Sequence, residues 1–315
     1  MENYWKNKAV LVTGAGGFIG SHMVTALAEK GAKVTAFFSA NAAIPETPGA
    51  FSASGNLLSM ETCIQALKGQ EVVCNMAALD GGAAYKRSHS EEIFTVNTTI
   101  TSNILEAARI HQTRKLLLMS SAMVYPASLY GVLDEDKVVP GDTADDGDGY
   151  TRSKKSMELS AQHYAKQYGM HIAIARPGNT YGPGDSIEKG RIIPSFIDKA
   201  LHHESITITG IGENEVSFLH VDDLVENLLS LTELYAVADP VNVASERYIR
   251  IRELADMIIN LAGTSSKVVY TSDAADIPPK RVLSVAKAKK VIHYSEHISL
   301  ENGVRNLIEQ MRRTK

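Results

Sequence analysis

The chain has 315 residues, of which 44% are apolar and 22% charged, enough for about two domains or one large α/β unit with an appended lobe. The chain has 32 basic and 36 acidic residues, interspersed, which gives a formal net charge of −4. It therefore lacks the basic patch that a nucleic-acid partner would require. No apolar run approaches the ~20 residues of a spanning helix, and the first residues carry no signal-peptide core. We therefore expect a cytoplasmic protein that neither spans a membrane nor binds nucleic acid.

Short β-branched runs alternate with helical patterns in the first half of the chain, which is typical of βαβ units in a parallel sheet covered on both faces. The pattern predicts strands over residues 8–13, 33–38, 72–76, 115–119 and 172–176, with helices over 18–30, 91–110 and 150–168. The periodicity then weakens, and we predict short strands over 206–209, 241–243 and 268–270 with helices over 221–231, 250–262 and 299–312. A surface loop rich in Asp and Gly is predicted over 134–149.

A glycine-rich segment, residues 13–20, joins the first strand to the first helix. Its glycines stand where the backbone must turn tightly, and the bare amides with the positive end of the helix dipole can hold a pyrophosphate. A plain left-handed turn with a closely packed helix would use the same glycines. The strand before and the helix after the segment favour the dinucleotide interpretation. The residues assigned to this cofactor site are Gly14, Gly17, Phe18, Ile19 and Gly20.

The end of the second strand bears on which dinucleotide binds. NAD sites usually carry an acid there for the ribose hydroxyls, but this chain has none over residues 37–41. No Lys or Arg lies between Val34 and Leu67 to pair with a 2′-phosphate, which is costly to bind unpaired. NAD is therefore favoured, NADP is not excluded, and Ser39 or Asn41 is available to bond the ribose.

We predict an α/β fold, a Rossmann-type doubly wound parallel sheet with a smaller mixed α/β substrate-binding lobe. The dinucleotide-binding domain would comprise residues 1–178 and about 218–246. The substrate-binding lobe would comprise about 179–217 and 247–315.

Tyr150 and Lys154 are four residues apart on one face of a predicted helix. A free phenol has a pKa of ~10, and lowering it by about 3 units takes about 4 kcal/mol, which a nearby ammonium and a positive nicotinamide can supply. Ser120 and Ser121 end the fourth strand, at the edge where parallel sheets bind ligands, so a hydroxyl there can share a proton with Tyr150. The alternative for Tyr150 and Lys154 is an ordinary solvated helix face, and for the serine it is a structural hydrogen bond at the strand end. The presence of the glycine loop in the same chain favours the catalytic interpretation over both.

These motifs belong to an ordered set that also includes residues 76–78, Asn97, residues 176–185 and residues 218–223. Over almost its whole length the chain resembles extended short-chain dehydrogenases/reductases of the NAD-dependent epimerase/dehydratase family, which act on nucleotide sugars. The resemblance implies that Ser121 is the catalytic hydroxyl, Tyr150 the acid/base, and Lys154 the residue that binds ribose and tunes Tyr150. It further assigns to the cofactor Asn56, Ala77, Ala78, Asn97, Tyr150 and Lys154, and to the substrate Asp80, Ser121, Met123, Asn179, Arg191 and Arg281.

Residues 78–82 and 121–126 are similar to the branch of that family that contains GDP-mannose 3,5-epimerase and GDP-fucose synthase. Those enzymes have an acid/base cysteine where this chain has Met123, and a thioether cannot exchange a proton. The 4,6-dehydratases need an Asp-Glu pair and the decarboxylases a Glu where this chain has Ala122 and Met123, so all three reactions are disfavoured. Val216 replaces the arginine with which the family usually grips the diphosphate, which leaves Arg191 and Arg281 as candidate clamps.

Chemistry at a single carbinol carbon remains. The resemblance implies an NAD-dependent nucleotide-sugar 4-epimerase that works through a transient 4-keto sugar. The alternatives are a 4-ketoreductase or 4-dehydrogenase of the GDP-sugar branch, or a non-catalytic dinucleotide-sensing protein. A homodimer is also implied, built through the helices over residues 91–110 and 150–168, and no metal is expected.

Overall fold

The computed structural model describes residues 3–42, 44, 47–138, 148–271 and 280–313. Within them the strands are β1 (Ala9–Thr13), β2 (Lys33–Ser39), β3 (Ala50–Gly55), β4 (Val72–Asn75), β5 (Lys115–Met119), β6 (Gly131–Leu133), β7 (Ile172–Pro177), β8 (Thr180–Tyr181), β9 (Ile206–Ile208), β10 (Glu215–Ser217), β11 (Leu219–His220), β12 (Val241–Val243), β13 (Tyr248–Arg250), β14 (Val268–Tyr270) and β15 (Arg281–Leu283). The α-helices are α1 (Phe18–Glu29), α2 (Met60–Leu67), α3 (Ala83–Ser88), α4 (Ser90–Ile110), α5 (Gly149–Tyr168), α6 (Ile192–Leu201), α7 (Val221–Leu234), α8 (Ile251–Ala262), α9 (Ala286–Val291) and α10 (Leu300–Arg313). Most of the predicted 134–149 loop lies outside the described residues.

A seven-stranded sheet with the order β12-β7-β5-β4-β1-β2-β3 forms the centre of the molecule, and every neighbouring pair in it is parallel. The chain runs outward from β1 to β3 on one side and from β4 to β12 on the other. Strand order therefore reverses between β1 and β4, and the carboxyl ends of these strands open a crevice at that point. This is the edge at which an open α/β sheet binds its ligand.

Helices cover both faces of this sheet, so its central strands are almost wholly buried. One face packs against α1, α7 and α9, and the other packs against α2, α4 and α5. The prediction of a doubly wound Rossmann-type sheet is confirmed. None of the helices in the described residues is long and apolar enough to cross a membrane.

A smaller lobe packs α6, α8 and α10 around its own apolar cluster, which includes Ile197, Leu254 and Val304. Short two-stranded sheets border it, among them β9 with β14 and β10 with β13. The division into two domains stays a prediction. Val285 and Ile292, which it assigns to the lobe, pack in the cluster beside the large sheet.

Candidate functional site

The glycine loop joins β1 to α1 and lies at the crevice. Gly14 has φ +65, a conformation that side chains rarely adopt, and a Cβ on it would lie 2.8 Å from the backbone nitrogen of Ala77. A Cβ on Gly20 would lie 2.1 Å from the carbonyl oxygen of Gly14, so only glycine fits there. α1 begins at Phe18, and Gly17 precedes it as an N-cap without a side chain. The loop is thus a bare backbone cradle at a helix N-terminus, which fits a dinucleotide pyrophosphate.

The other residues assigned to the cofactor lie in three different settings. Ala78 lines the cleft with the glycine loop, and the backbone nitrogen of Ala77 donates to Thr13 Oγ1 at 3.3 Å. Ser39 and Asn56 are exposed at the carboxyl ends of β2 and β3. Neither is among the described residues that line the cleft. They lie on the same edge of the sheet as the glycine loop, where an adenosine would extend.

Asn97 is buried on α4 and does not line the cleft among the described residues. Its side-chain oxygen accepts from the Leu79 nitrogen at 2.7 Å, and its amide donates to the Leu79 oxygen at 3.0 Å. Asn97 therefore fixes the loop that follows β4, and it supports the cofactor site through the backbone.

Ser121, Tyr150 and Lys154 come together in a cleft of about 460 Å³ at the carboxyl end of β5. Tyr150 lies in the first turn of α5, whose start is fixed by the Asp148 side chain accepting from the Thr151 nitrogen at 2.9 Å. The Ser121 side chain lies close enough to Tyr150 to lower the pKa of the phenol. Lys154 lies one turn along α5 and donates from Nζ to the Met119 oxygen at 2.6 Å. The three residues predicted from the sequence therefore lie together in one cleft.

Burial sets the protonation of this trio. It raises the pKa of Tyr150 well above its ordinary value, and the nearby Asp80 carboxylate raises it further, while the Ser121 hydrogen bond and Arg191 act in the opposite sense. Burial also lowers the pKa of Lys154 to about 8. The phenol is therefore held in its protonated form near neutral pH, ready to donate to an oxygen in the cleft.

Four charged side chains form a network on the substrate side of the cleft. Asp80 pairs with Lys86 at 2.9 Å and with Arg191 at 3.7 Å, and Arg191 also pairs with Asp185 at 3.3 Å. Arg191 stacks on the Phe18 ring as well, with its guanidinium carbon 5.6 Å from the ring centroid. Two carboxylates thus compete for Arg191, which weakens its expected role as a phosphate clamp. No role was predicted for Lys86 or Asp185, and the only sequence signal was the position of Lys86 just after the Asp80-Gly81-Gly82 motif.

A second cavity of about 450 Å³ lies beside the first and holds Arg281 and Val216. Arg281 donates to the carbonyl oxygens of Tyr125 and Pro126, each at 3.2 Å, which anchors its guanidinium at the cavity wall. Asn179 and Met123 line both cavities. The predicted substrate residues are therefore divided between two adjoining spaces, and Arg281 lines the same space as Val216.

A buried ion pair links β7 to α5, the helix that carries Tyr150 and Lys154. Arg176 on β7 and Glu158 on α5 are each about 1% exposed, and Arg176 Nη2 donates to Glu158 Oε2 at 2.7 Å. Ser120, the neighbour of Ser121, donates to the same carboxylate. Arg176 also donates to the Tyr125 hydroxyl at 3.2 Å and to the Glu135 carbonyl oxygen at 3.0 Å. The carboxyl end of β5 and the middle of α5 are thus tied to one guanidinium.

Comparison with known proteins shows the family to which the chain belongs. A family model described as the NAD dependent epimerase/dehydratase family matches residues 10–245. The chain is 33% identical over 303 residues to the dTDP-4-dehydro-6-deoxy-D-allose reductase of Streptomyces sp, which covers 92% of each chain. It is 32% identical over 273 residues to the GDP-mannose 3,5-epimerase of Arabidopsis thaliana, which covers 82% of this chain and 71% of that protein.

Among solved structures, the UDP-glucose 4-epimerase of Thermotoga maritima has the same fold, with a TM-score of 0.87. The two are 24% identical, and the match covers 97% of this chain and 99% of that one. The family model and the relatives identify the same family, and the solved structure has the same fold. The protein belongs to the NAD-dependent epimerase/dehydratase family.

Proposed function

We propose that the protein reduces the C4 ketone of a nucleotide sugar, with NADH as the hydride donor. The observation that carries this proposal is the Ser121, Tyr150 and Lys154 trio in a cleft whose adjoining wall, at Ala122 and Met123, has neither a thiol nor a carboxylate. Such a site can move one proton on one oxygen, but the wall has no group for the proton exchange at a carbon that 3,5-epimerisation or dehydration requires. The absence of such a group at these two positions favours chemistry at one carbinol carbon.

In this mechanism, Tyr150 donates its proton to the C4 oxygen and Ser121 orients that oxygen through its hydroxyl. The raised pKa of Tyr150 suits this direction, because reduction consumes the protonated phenol whereas oxidation requires the phenolate. Lys154 holds the cofactor ribose and places its ammonium near Tyr150, which favours the phenolate that remains. NADH, held by the glycine loop and Lys154, would supply the hydride.

The relatives support the same direction. The reductase matched over 92% of the chain is described by name as acting on a 4-dehydro sugar nucleotide. The 3,5-epimerase is nearly as similar. However, the resemblance to such epimerases places an acid/base cysteine at the position where this chain has Met123. We therefore place the substrate among 4-keto nucleotide sugars, and the Arg281 cavity beside the trio is the space for the diphosphate and base.

A 4-epimerase is the second candidate. A cleft of about 460 Å³ has room for a pyranose ring to turn over, and the trio could then oxidise and reduce the same carbon in sequence. This alternative requires that Tyr150 act first as a base, which its raised pKa opposes until an oxidised cofactor is bound.

The test is to incubate the purified protein and NADH with a panel of 4-keto-6-deoxy nucleotide sugars, and separately with nucleotide hexoses and NAD. We expect stoichiometric loss of NADH absorbance with a ketone substrate, and loss of roughly 10²–10⁴-fold in kcat for Tyr150→Phe. Product stereochemistry at C4 is read by NMR.

Conversion of a nucleotide hexose into its C4 epimer without net consumption of cofactor would replace the reductase proposal with the epimerase. Full turnover by Tyr150→Phe would contradict both mechanisms. A matched control is Tyr168→Phe at the other end of α5, where the ring is exposed and remote from the cleft.

A further inference from the structure

Lys86 reaches the cleft from α3, the short helix that follows the Asp80-Gly81-Gly82 segment. Its ammonium nitrogen lies 3.8 Å from the centroid of the Tyr150 ring, closer than the 5.3 Å of Lys154. The same nitrogen pairs with Asp80 at 2.9 Å and lies 3.5 Å from Met123 Sδ. Two ammonium groups therefore face the ring of the proposed acid, and only Lys154 was expected from the sequence.

The pair formed by Lys86 and Asp80 is largely shielded from water, with 12% and 23% of the two side chains exposed. Charges in such a setting are screened less than surface charges, so each acts appreciably on a phenol in contact with them. A cation over an aromatic face is attracted by the negative face of the ring, and the attraction grows when the ring carries the charge of a phenolate. Asp80 acts on the same ring in the opposite sense.

We propose that Lys86 is a positioning residue of the hydride-transfer reaction, whose ammonium offsets the Asp80 carboxylate and stabilises the phenolate of Tyr150 from the face of its ring. This inference rests on the proposed function only in that Tyr150 transfers the proton. It holds equally for ketone reduction and for 4-epimerisation.

Other charged groups also face Tyr150. Asp148 and Lys154 do so from α5, Arg191 from the start of α6, and the Ser121 hydroxyl from the segment after β5. Asp80 and Asp148 raise the pKa of Tyr150, while Arg191 and the Ser121 hydrogen bond lower it. Lys86 lies over the ring face, and of the described residues only the more distant Arg191 remains paired with Asp80 when Lys86 is removed.

The experiment compares the pH dependence of kcat in Lys86→Met, Asp80→Asn and the double variant with that of the wild-type protein. Lys86→Met exposes Tyr150 to an uncompensated carboxylate, so the Tyr150 limb of the profile moves to higher pH by about 1 unit or more. Asp80→Asn leaves the ammonium uncompensated, so the same limb moves to lower pH. The double variant removes both charges and its profile returns toward that of the wild type.

Lys86→Arg keeps the charge and is expected to restore much of the profile, and Arg87→Met changes an exposed cation one position along α3 and leaves it unchanged. A merely structural ion pair would behave otherwise, since both single variants would lose kcat in the same way with no movement of the profile. That result, or movement of both profiles in the same direction, would overturn the proposal.

A second readout separates this inference from the proposed function. The ultraviolet absorbance of tyrosinate is titrated in the NAD-bound protein and in its Tyr150→Phe variant, and the difference reports Tyr150 without turnover. A midpoint higher in Lys86→Met than in the wild type supports the inference even if no ketone substrate is reduced. Equal midpoints would overturn it even if the reductase proposal stands.

Discussion

Glu158 and Arg176 show how much of the site depends on residues that never touch a ligand. Both are buried to about 1% exposure, and between them they hold Ser120, Tyr125 and the Glu135 backbone. A buried charge that loses its partner is costly, whereas removal of both charges is often tolerated. The pair therefore contributes to the placement of α5 against β5 far more than to net stability.

We expect Glu158→Leu to lower the free energy of unfolding by about 3–5 kcal/mol, because it leaves the Arg176 guanidinium buried without its carboxylate. The double variant Glu158→Leu with Arg176→Met is expected to lose less than the single variant. Urea denaturation of the wild type, of Glu158→Leu, of Arg176→Met and of the double variant at one pH provides the measurement. If the double variant is as destabilised as the sum of the two single variants, the two side chains do not interact as described.

Individual residues differ in how far the sequence could place them. Ser121, Tyr150 and Lys154 were predicted because their motif spacing on one strand end and one helix face is local. Lys86 and Asp185 were missed, since their contacts with Asp80 and Arg191 join segments far apart in the chain, and no periodic pattern encodes such contacts. The weakened clamp role of Arg191 has the same origin, because its two acidic partners become neighbours only in the fold.

At the level of elements, His22 joins two helices at the edge of the crevice. Its Nδ1 lies 2.6 Å from Asp222 Oδ1 in the first turn of α7, and its Nε2 lies 2.8 Å from the Pro183 carbonyl oxygen. The hydrogen bonds to Asp222 and Pro183 outweigh burial and raise the pKa of His22 above 6.5. His220 lies in the same cluster, where burial lowers its pKa.

Because the folded-state pKa of His22 is raised, its charged form stabilises the fold. This contribution is fully present below the unfolded value of about 6.5 and is lost as the pH rises through the folded pKa. Near pH 5.5 we expect the free energy of unfolding of the wild type to exceed that of His22→Gln by about 0.5–1 kcal/mol. The difference is small because Asp222 is half exposed and the pair is partly screened.

Urea midpoints of the two proteins, measured from about pH 5 to 8.5, provide the check. His220 is present in both proteins, and because its pKa depends on His22 and Asp222, its response forms part of the measured difference. A difference that grows with rising pH would show that His22 stabilises the fold as a neutral side chain instead.

Elements with strong periodicity were predicted closely, including β5 at 115–119 and α5, which begins one residue before its predicted start. β3 was missed because Ala50–Gly55 is a largely exposed edge strand with few β-branched residues, so no alternation of buried side chains marks it. α6 was missed because Pro194 lies in its first turn, where proline is tolerated although it usually signals a helix boundary.

At the scale of the whole molecule, α4 and α5 pack against each other on one face of the sheet and leave a partly exposed surface that includes Phe94 and Arg152. The guanidinium carbon of Arg152 lies 5.1 Å from the centroid of the Phe94 ring, and Arg152 also pairs with Glu91. The homodimer predicted by family resemblance would use this surface.

We expect light scattering to give about twice the chain mass of 34.1 kDa, because α4 and α5 of two copies would form a four-helix bundle. Phe94→Glu should shift the mass toward that of the monomer, whereas Phe51→Glu, at an exposed site on the edge strand β3, should not. A wild-type mass of one chain at micromolar concentration would contradict the dimer.

The adjoining cavities share Asn179 and Met123 as a common boundary. On one side lies the reactive trio, built on the rigid sheet, and on the other lies Arg281 with the short strands of the lobe. In the proposed reduction, which leaves the nucleotide attached to the sugar, selectivity for the base and stereochemistry at C4 would depend on separate parts of the polypeptide. Evolution, or a protein engineer, could exchange the lobe strands to accept a different base while the hydride still reaches the same face of the sugar.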